Sequence, residues 1–293
     1  MRYVNTYSIV AYDPNEGAWG VGVASKFLAV GSVVSWARAG AGAVATQSYA
    51  NVPFGVNGLA LMENGKTAQE ALDILIAGDE NRGKRQVGLV DKYGNSASYT
   101  GSDCHAWAGH KLGEGFACQG NILTGGDTLD AMADAFIYGR GELADRLVAA
   151  LLAGDTIGGD SRGKQSAAVL VVKANGGYGG DNDRYLDLRV DDDPEPVKRL
   201  HDLVAIHHLF FGTYKPEDAL PITEELAREL QTMMTKGGYF AGDINGDWDE
   251  MCKIAFSNLI GNENLEERWS KDTTPDTIDP VALGYLRTRF GKK

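Results

Sequence analysis

The chain has 293 residues, 43% of them hydrophobic, and a formal net charge of −12. That length suits one large domain, or one domain with a small companion, and the apolar content is enough to bury a sizeable core. No cluster of Lys and Arg interrupts the acidic balance, which argues against nucleic acid or an anionic membrane as a partner; the acidity itself reads as solubility.

The 38 glycines lie in short groups, a pattern of tight turns and close backbone packing rather than disorder. Cys104, Cys118 and Cys252 are few, odd in number and far apart, so no disulfide framework is expected and a reducing compartment is. The opening MRYVNTYSIV has neither an apolar h-region nor a cleavage pattern, and no run approaches the length of a membrane span. A cytoplasmic location is therefore expected.

In chain order, Thr6 to Ala11 is β-rich and ends at the turn Asp13-Pro14-Asn15-Glu16-Gly17; Trp19 to Ser25 completes a hairpin. Ala41 to Gln47 is a third strand. Helices follow over Phe54 to Glu63 and Thr67 to Ala77, the second opened by a capping box, Thr67 with Glu70. Gln86 to Asp91 and Ala97 to Thr100 form another hairpin, and Phe116 to Asn121 a short strand. Helices are predicted over Asp127 to Tyr138 and Glu142 to Ala153. Ser166 to Lys173 is a buried central strand, Tyr185 to Val190 a half-buried one, and Pro194 and Pro196 open a helix reaching Phe211. Strands and helices thus come in groups, which favours antiparallel sheets with helices on their outer faces over a doubly wound parallel sheet. No G-x-G-x-x-G joins a strand to a helix, so a nucleotide-binding loop has no support.

Gly212 to Pro221 reads as a linker, with the boundary near Thr213, giving domains 1–212 and 213–293. Beyond it lie helices over Thr223 to Lys236, Trp248 to Leu259 and Pro280 to Phe290.

The opening resembles the N-terminal-nucleophile (Ntn) hydrolases, in which a Thr, Ser or Cys begins the first strand of a four-layer αββα sandwich of two antiparallel sheets. Closer still, the stretches TYSIVAYDPNEGAWGVGVASKFLAVG, WARAGAGAVATQSYAN, RQVGLVD, WAGH, QGN, GGDSRGKQSAAVLVV and GGYGGDNDRYLDLRVDDDPEP are similar to an uncharacterised bacterial family of Ntn-hydrolase-like proteins. The resemblance implies an α+β sandwich over most of residues 6–200 and makes Thr6 the candidate nucleophile. A free α-amine titrates near neutrality and is well matched to take the proton of a poorly nucleophilic hydroxyl. Here that amine requires removal of Met1 to Asn5.

By the same resemblance, Arg38 takes the place of a supporting lysine and Lys26 is a second cation for an oxyanion. Asp160 orients an amine or pairs with Arg38, with Ser161 beside it, and Gln119-Gly120-Asn121 supplies oxyanion donors, Asn121 among them. Each also has a plain reading: Lys26 and Arg38 as surface charges, and the Asp, Asn and Gly groups as turn chemistry. Cys104-His105 with His110 reads as a packed loop around Trp107, the alternatives being a Cys–His nucleophile and base or part of a metal site that lacks a fourth ligand at finger spacing, and the acidic run from Asp181 to Asp193 reads as a solvated face without an EF-hand pattern. His207-His208 belongs to a core or an interface.

The C-terminal part, Gly238 to Glu250 with Ala255-Phe256, then Asn264 to Trp269 and Tyr285-Leu286-Arg287, resembles a small three-helix peptidoglycan-binding module. Its role is open between glycan binding and packing or dimerisation. The expected function is hydrolysis of a small amide C–N bond by Thr6; the alternative is a non-catalytic scaffold binding a small molecule or a partner protein. No cofactor and no metal are expected, the partner is a small-molecule substrate or ligand, and a homo-oligomer, a dimer, is anticipated.

Overall fold

The computed structural model describes residues 6–212, 216–268 and 276–291. The chain divides into two compact units between Val204 and Ala205, within a helix. The predicted boundary residue, Thr213, and the segment Met1 to Asn5 lie outside the described residues, as does Trp269.

In the first unit β1 (Thr6–Asp13) and β2 (Ala18–Ser25) form the opening hairpin. Asp13 shapes its turn, Oδ1 accepting the N–H groups of Asn15 and Glu16, and Gly17 supplies a left-handed φ of +59°. A short α1 (Gly31–Val34) and β3 (Ser35–Arg38) follow, then β4 (Gly42–Ser48), α2 (Pro53–Glu63) and α3 (Ala68–Ala77). Both halves of the predicted capping box are made at Thr67 and Glu70. Next come β5 (Arg85–Asp91), β6 (Ser96–Thr100), β7 (Ala108–Gly113), β8 (Phe116–Asn121), α4 (Asp127–Tyr138), α5 (Leu143–Ile157), β9 (Ser166–Lys173), β10 (Arg184–Val190) and α6 (Pro196–Phe211), whose residues from Ala205 on are counted with the second unit.

These strands make two sheets, ordered β10-β9-β2-β1-β8-β7 and β3-β4-β5-β6, with every pair antiparallel. Strand alternation then dictates three apolar clusters. Tyr7, Ile9 and Ala11 of β1, with Val169 and Val171 of β9, pack against Leu129 and Met132 of α4, Leu147 and Leu151 of α5 and Leu200 of α6. Val44, Val87 and Leu89 of the smaller sheet meet Phe54, Leu59 and Met62 of α2 and Leu72 and Leu75 of α3. Between the sheets lie Val10, Val21, Val23, Ala43, Ala45, Val90 and Ala117. A side chain such as Leu147, with no exposed surface, contributes about 1.5–3 kcal/mol through burial.

The second unit has its own core, centred on Leu230, Met233, Phe256, Leu259, Leu283 and Leu286. It comprises a two-stranded ribbon, β11 (Leu220–Pro221) with β12 (Thr277–Ile278), and helices α7 (Glu224–Gly237), α8 (Glu250–Asn262) and α9 (Pro280–Phe290). Side-chain caps start each helix: Thr223, Asp249 and Asp279. Buried Gln231 holds the Asp243–Asp247 turn, donating to Asn245 Oδ1 and the Asp247 carbonyl and accepting from Gly246 N–H. No helix among the described residues is long and apolar enough to cross a membrane.

Candidate functional site

The layer between the sheets changes character along its length. At one end it is apolar, closed by Trp19, whose Nε1 donates across the gap to the Asp91 carbonyl at 3.1 Å. At the other end it is polar. Thr6 and Ser8 of β1, Ser25 of β2, Gln47 of β4, Gln86 of β5, and Gln119 and Asn121 of β8 all face inward there, none more than 2% exposed.

Register sets this arrangement. Thr6 stands between Ser25 and Asn121, and Ser8 stands beside Gln119. On the facing sheet Gln47 is opposite Gln86, which is opposite Thr100. Thr6 Oγ1 donates to Ser25 Oγ at 3.3 Å. Ser8 Oγ donates to Gln47 Oε1 and accepts from Gln119 Nε2, both at 2.6 Å. Gln47 Nε2 reaches the Thr6 carbonyl at 3.3 Å and Gln86 Oε1 at 2.9 Å, and Asn121 Nδ2 donates to the same Gln86 oxygen at 2.9 Å. Gln119 Oε1 is buried without a hydrogen-bond partner among the described residues. It fits only because Gly88 has no side chain: a Cβ there would lie 2.0 Å from that oxygen.

Asp160 lies in the loop after α5 and pairs through its backbone with Leu123, just past β8. Its carboxylate is buried and accepts from the Lys26 N–H at 3.0 Å and from the Arg162 N–H and guanidinium. Lys26, directly after Ser25, therefore meets Asp160 through its main chain, while its ammonium donates to the Lys164 carbonyl. Ser161 is exposed and donates its N–H to the Ile122 carbonyl. Thr6 and Asn121 are thus brought side by side, and Lys26, Asp160 and Ser161 join the loop at the same end.

Arg38 is not brought there. It pairs in register with Gly42, at the far end of β4 from Gln47, and its guanidinium forms an exposed ion pair with Glu63. The expected Arg38–Asp160 pair is replaced by Arg162–Asp160 at 2.9 Å, because Arg162 is only two residues away and shares the loop. Arg38 instead lines an open groove of about 560 Å³ with Tyr178 and Arg184.

Behind Thr6, toward the helices, a cavity of about 50 Å³ is lined by Tyr7, Ser25, Asp155, Asp160, Lys164 and Val197. Lys164 bridges Asp155 at 2.7 Å and Glu195 at 3.1 Å, and the bond to Asp155 raises its pKa first of all. Burial, then the neighbouring Asp155, pushes the Tyr7 phenol well above its ordinary value. Cys104 Sγ contacts the Arg85 carbonyl, and partial burial raises the thiol, which disfavours the thiolate a cysteine nucleophile needs. His105 lies against the Tyr49 ring, and His110 shares a hydrogen bond with Thr100. No group of three or more His, Cys, Asp or Glu among the described residues could hold a metal ion.

Gln47 and Gln86 had no signature in the sequence. The one available sign was phase: Ser8, Gln47 and Gln119 continue the strand faces that carry Val10, Ala43 and Ala45, and Ala117.

These features, two antiparallel sheets with helices on their outer faces and a polar end between them, coincide with a family match. Residues 6–200 match the family described as a family of unknown function, DUF1028, and the chain belongs to it. Residues 210–286 match the family described as "Putative peptidoglycan binding domain". Among solved structures 33 chains match; one is the crystal structure of a DUF1028 protein from Silicibacter pomeroyi. It is 30% identical with a TM-score of 0.63, covering 70% of this chain and 89% of that one. None of the curated proteins compared matches the chain.

Proposed function

We propose that the first unit is a four-layer Ntn-type sandwich and an amidohydrolase for a small C–N bond, with Thr6 as nucleophile. The supporting observation is the placement of the Thr6 hydroxyl and the Asn121 amide as register partners at the polar end of the layer between the sheets. In this reading, removal of Met1 to Asn5 frees the Thr6 amine. Oγ1 attacks the substrate carbonyl while the amine takes its proton and passes it to the leaving nitrogen, and water then hydrolyses the acyl-enzyme ester. Asn121 donates to the oxyanion, and Asp160, with the Lys26 main chain and Ser161, fixes the loop beside it. Arg38 has no part. The three free cysteines agree with a cytoplasmic setting.

The test compares a chain beginning at Thr6, the full-length chain and Thr6→Ala on small amide substrates. General-base assistance of about 10²–10⁴-fold should separate the first from the other two. Equal turnover by the chain beginning at Thr6 and by the same chain with Thr6→Ala removes Thr6 as nucleophile.

Two observations favour a second reading, a non-catalytic scaffold for a small molecule or a partner protein. Thr6 is wholly buried, and the ammonium of Lys26 is taken by a backbone carbonyl. Absence of turnover from a chain beginning at Thr6 selects this reading.

A further inference from the structure

We infer that Gln86 is a positioning residue that makes Asn121 a hydrogen-bond donor beside Thr6. The inference deepens the hydrolase reading and rests on it for its catalytic consequence, but the orientation it concerns can be measured alone.

Gln86 Nε2 lies 2.7 Å from the Gly120 carbonyl and 3.0 Å from that of Gly109, with Thr100 Oγ1 also at 3.0 Å. Backbone carbonyls only accept, so the amide nitrogen of Gln86 must face them. Its oxygen then faces the other way, toward Asn121 and Gln47, each 2.9 Å from it. An acceptor at that point requires both neighbours to present nitrogen. Reversing the Asn121 amide would set two carbonyl oxygens within hydrogen-bond distance in a site sealed from water, where an unmatched polar pair is costly.

Two glycine carbonyls, read through Gln86, thereby decide which end of Asn121 is nitrogen. One Asn121 N–H is taken by Gln86, and the second is the donor offered on the face shared with Thr6. A developing oxyanion needs that donor; an Asn oxygen in its place would repel it. The same orientation propagates to Gln47, whose oxygen must accept from Ser8.

Gln86→Glu and Gln86→Met test this by NMR of the Asn121 side-chain amide in the full-length chain. In the wild type the proton bonded to Gln86 should be protected from exchange at every pH. Gln86→Met fills the space without bonding and should lower protection at least tenfold throughout. A protonated carboxyl can donate to one of the two glycine carbonyls and accept from Asn121 on its other oxygen, keeping the sense of the amide. Gln86→Glu should therefore keep protection at acid pH and lose it as the introduced carboxyl ionises, because the carboxylate then faces the Gly120 and Gly109 carbonyls acceptor to acceptor and is driven from its place. Unchanged protection in Gln86→Met, or a loss independent of pH in Gln86→Glu, overturns the inference.

In chains beginning at Thr6, Gln86→Met should lower kcat at least tenfold with KM within twofold. A Thr6 chain that turns over at the wild-type rate with Gln86→Met also overturns it. An idle wild-type Thr6 chain whose Asn121 follows the expected protection pattern sinks the hydrolase reading and supports this one.

Discussion

Gly88→Ala is the sharpest test of the packing between the sheets. The new Cβ would stand 2.0 Å from Gln119 Oε1, 2.5 Å from Cδ and 2.9 Å from Nε2, so the whole amide must move. It cannot move freely, because Nε2 is bonded to Ser8 Oγ at 2.6 Å and Gln119 is fully buried. Overpacking of this kind costs about 1–3 kcal/mol, and leaving a buried amide without its partner costs about 1–3 kcal/mol more. The expected loss is about 2–6 kcal/mol, or roughly 6–18 °C in Tm for a unit of this size. Calorimetry on the full chain would measure it. Because the clash is with one side chain, Gln119→Ala in the same chain should recover at least about 1 kcal/mol relative to additivity. A Gly88→Ala protein within about 0.5 kcal/mol of wild type, or strict additivity in the double variant, would refute the reasoning.

Three further outcomes follow from the charges and thiols. Arg85→Ala should destabilise by about 3–5 kcal/mol, since it strands buried Asp79 at a 2.7 Å pair, whereas Arg38→Ala, on an exposed pair, should cost at most about 1 kcal/mol; urea unfolding distinguishes them. Burial raises the Glu16 carboxyl above its ordinary range, with Asp13 and Glu142 adding to the effect and the Leu143 N–H opposing it. The folded state thus favours the protonated acid, so stability should fall as pH rises from the ordinary carboxyl range through the raised pKa, and Glu16→Gln should flatten that slope in a pH series of melting curves. Among the thiols, partly exposed Cys104 should alkylate before buried Cys118 and Cys252, and slowly at neutral pH because its own pKa is raised; peptide mapping after brief labelling would reveal the order.

Much of the fold was legible because local chemistry and global position agree. The Asp13 turn, the Thr67–Glu70 box and the apolar phase of β1, β2 and β9 each specify their element within a few residues. The elements not anticipated are those with weak local signals. The four-residue β3 and the preceding turn of α1 are too short for periodicity to register. Strand β7, Ala-Gly-His-Lys-Leu-Gly, has little β propensity and exists because β8 offers it a pairing edge. Of the residues that the resemblance names, Thr6, Asn121 and Asp160 lie at one end of the layer between the sheets. Arg38 was misplaced because sequence spacing says nothing about which end of a neighbouring strand it pairs with. Gln47 and Gln86 were invisible because they join Gln119 only through register and the stacking of one sheet on the other.

The two halves of the layer between the sheets also differ in how they can change. Around Val10, Val21, Ala43 and Val90 the contacts are non-directional, so one aliphatic side chain can replace another if total volume is kept. Around Gln86 each amide fixes which way its neighbour faces, so a single exchange leaves a donor facing a donor or an acceptor facing an acceptor. Drift at the apolar end can proceed one residue at a time. At the polar end substitutions must arrive in matched sets, and the fold therefore carries one region free to wander and one bound to move as a unit.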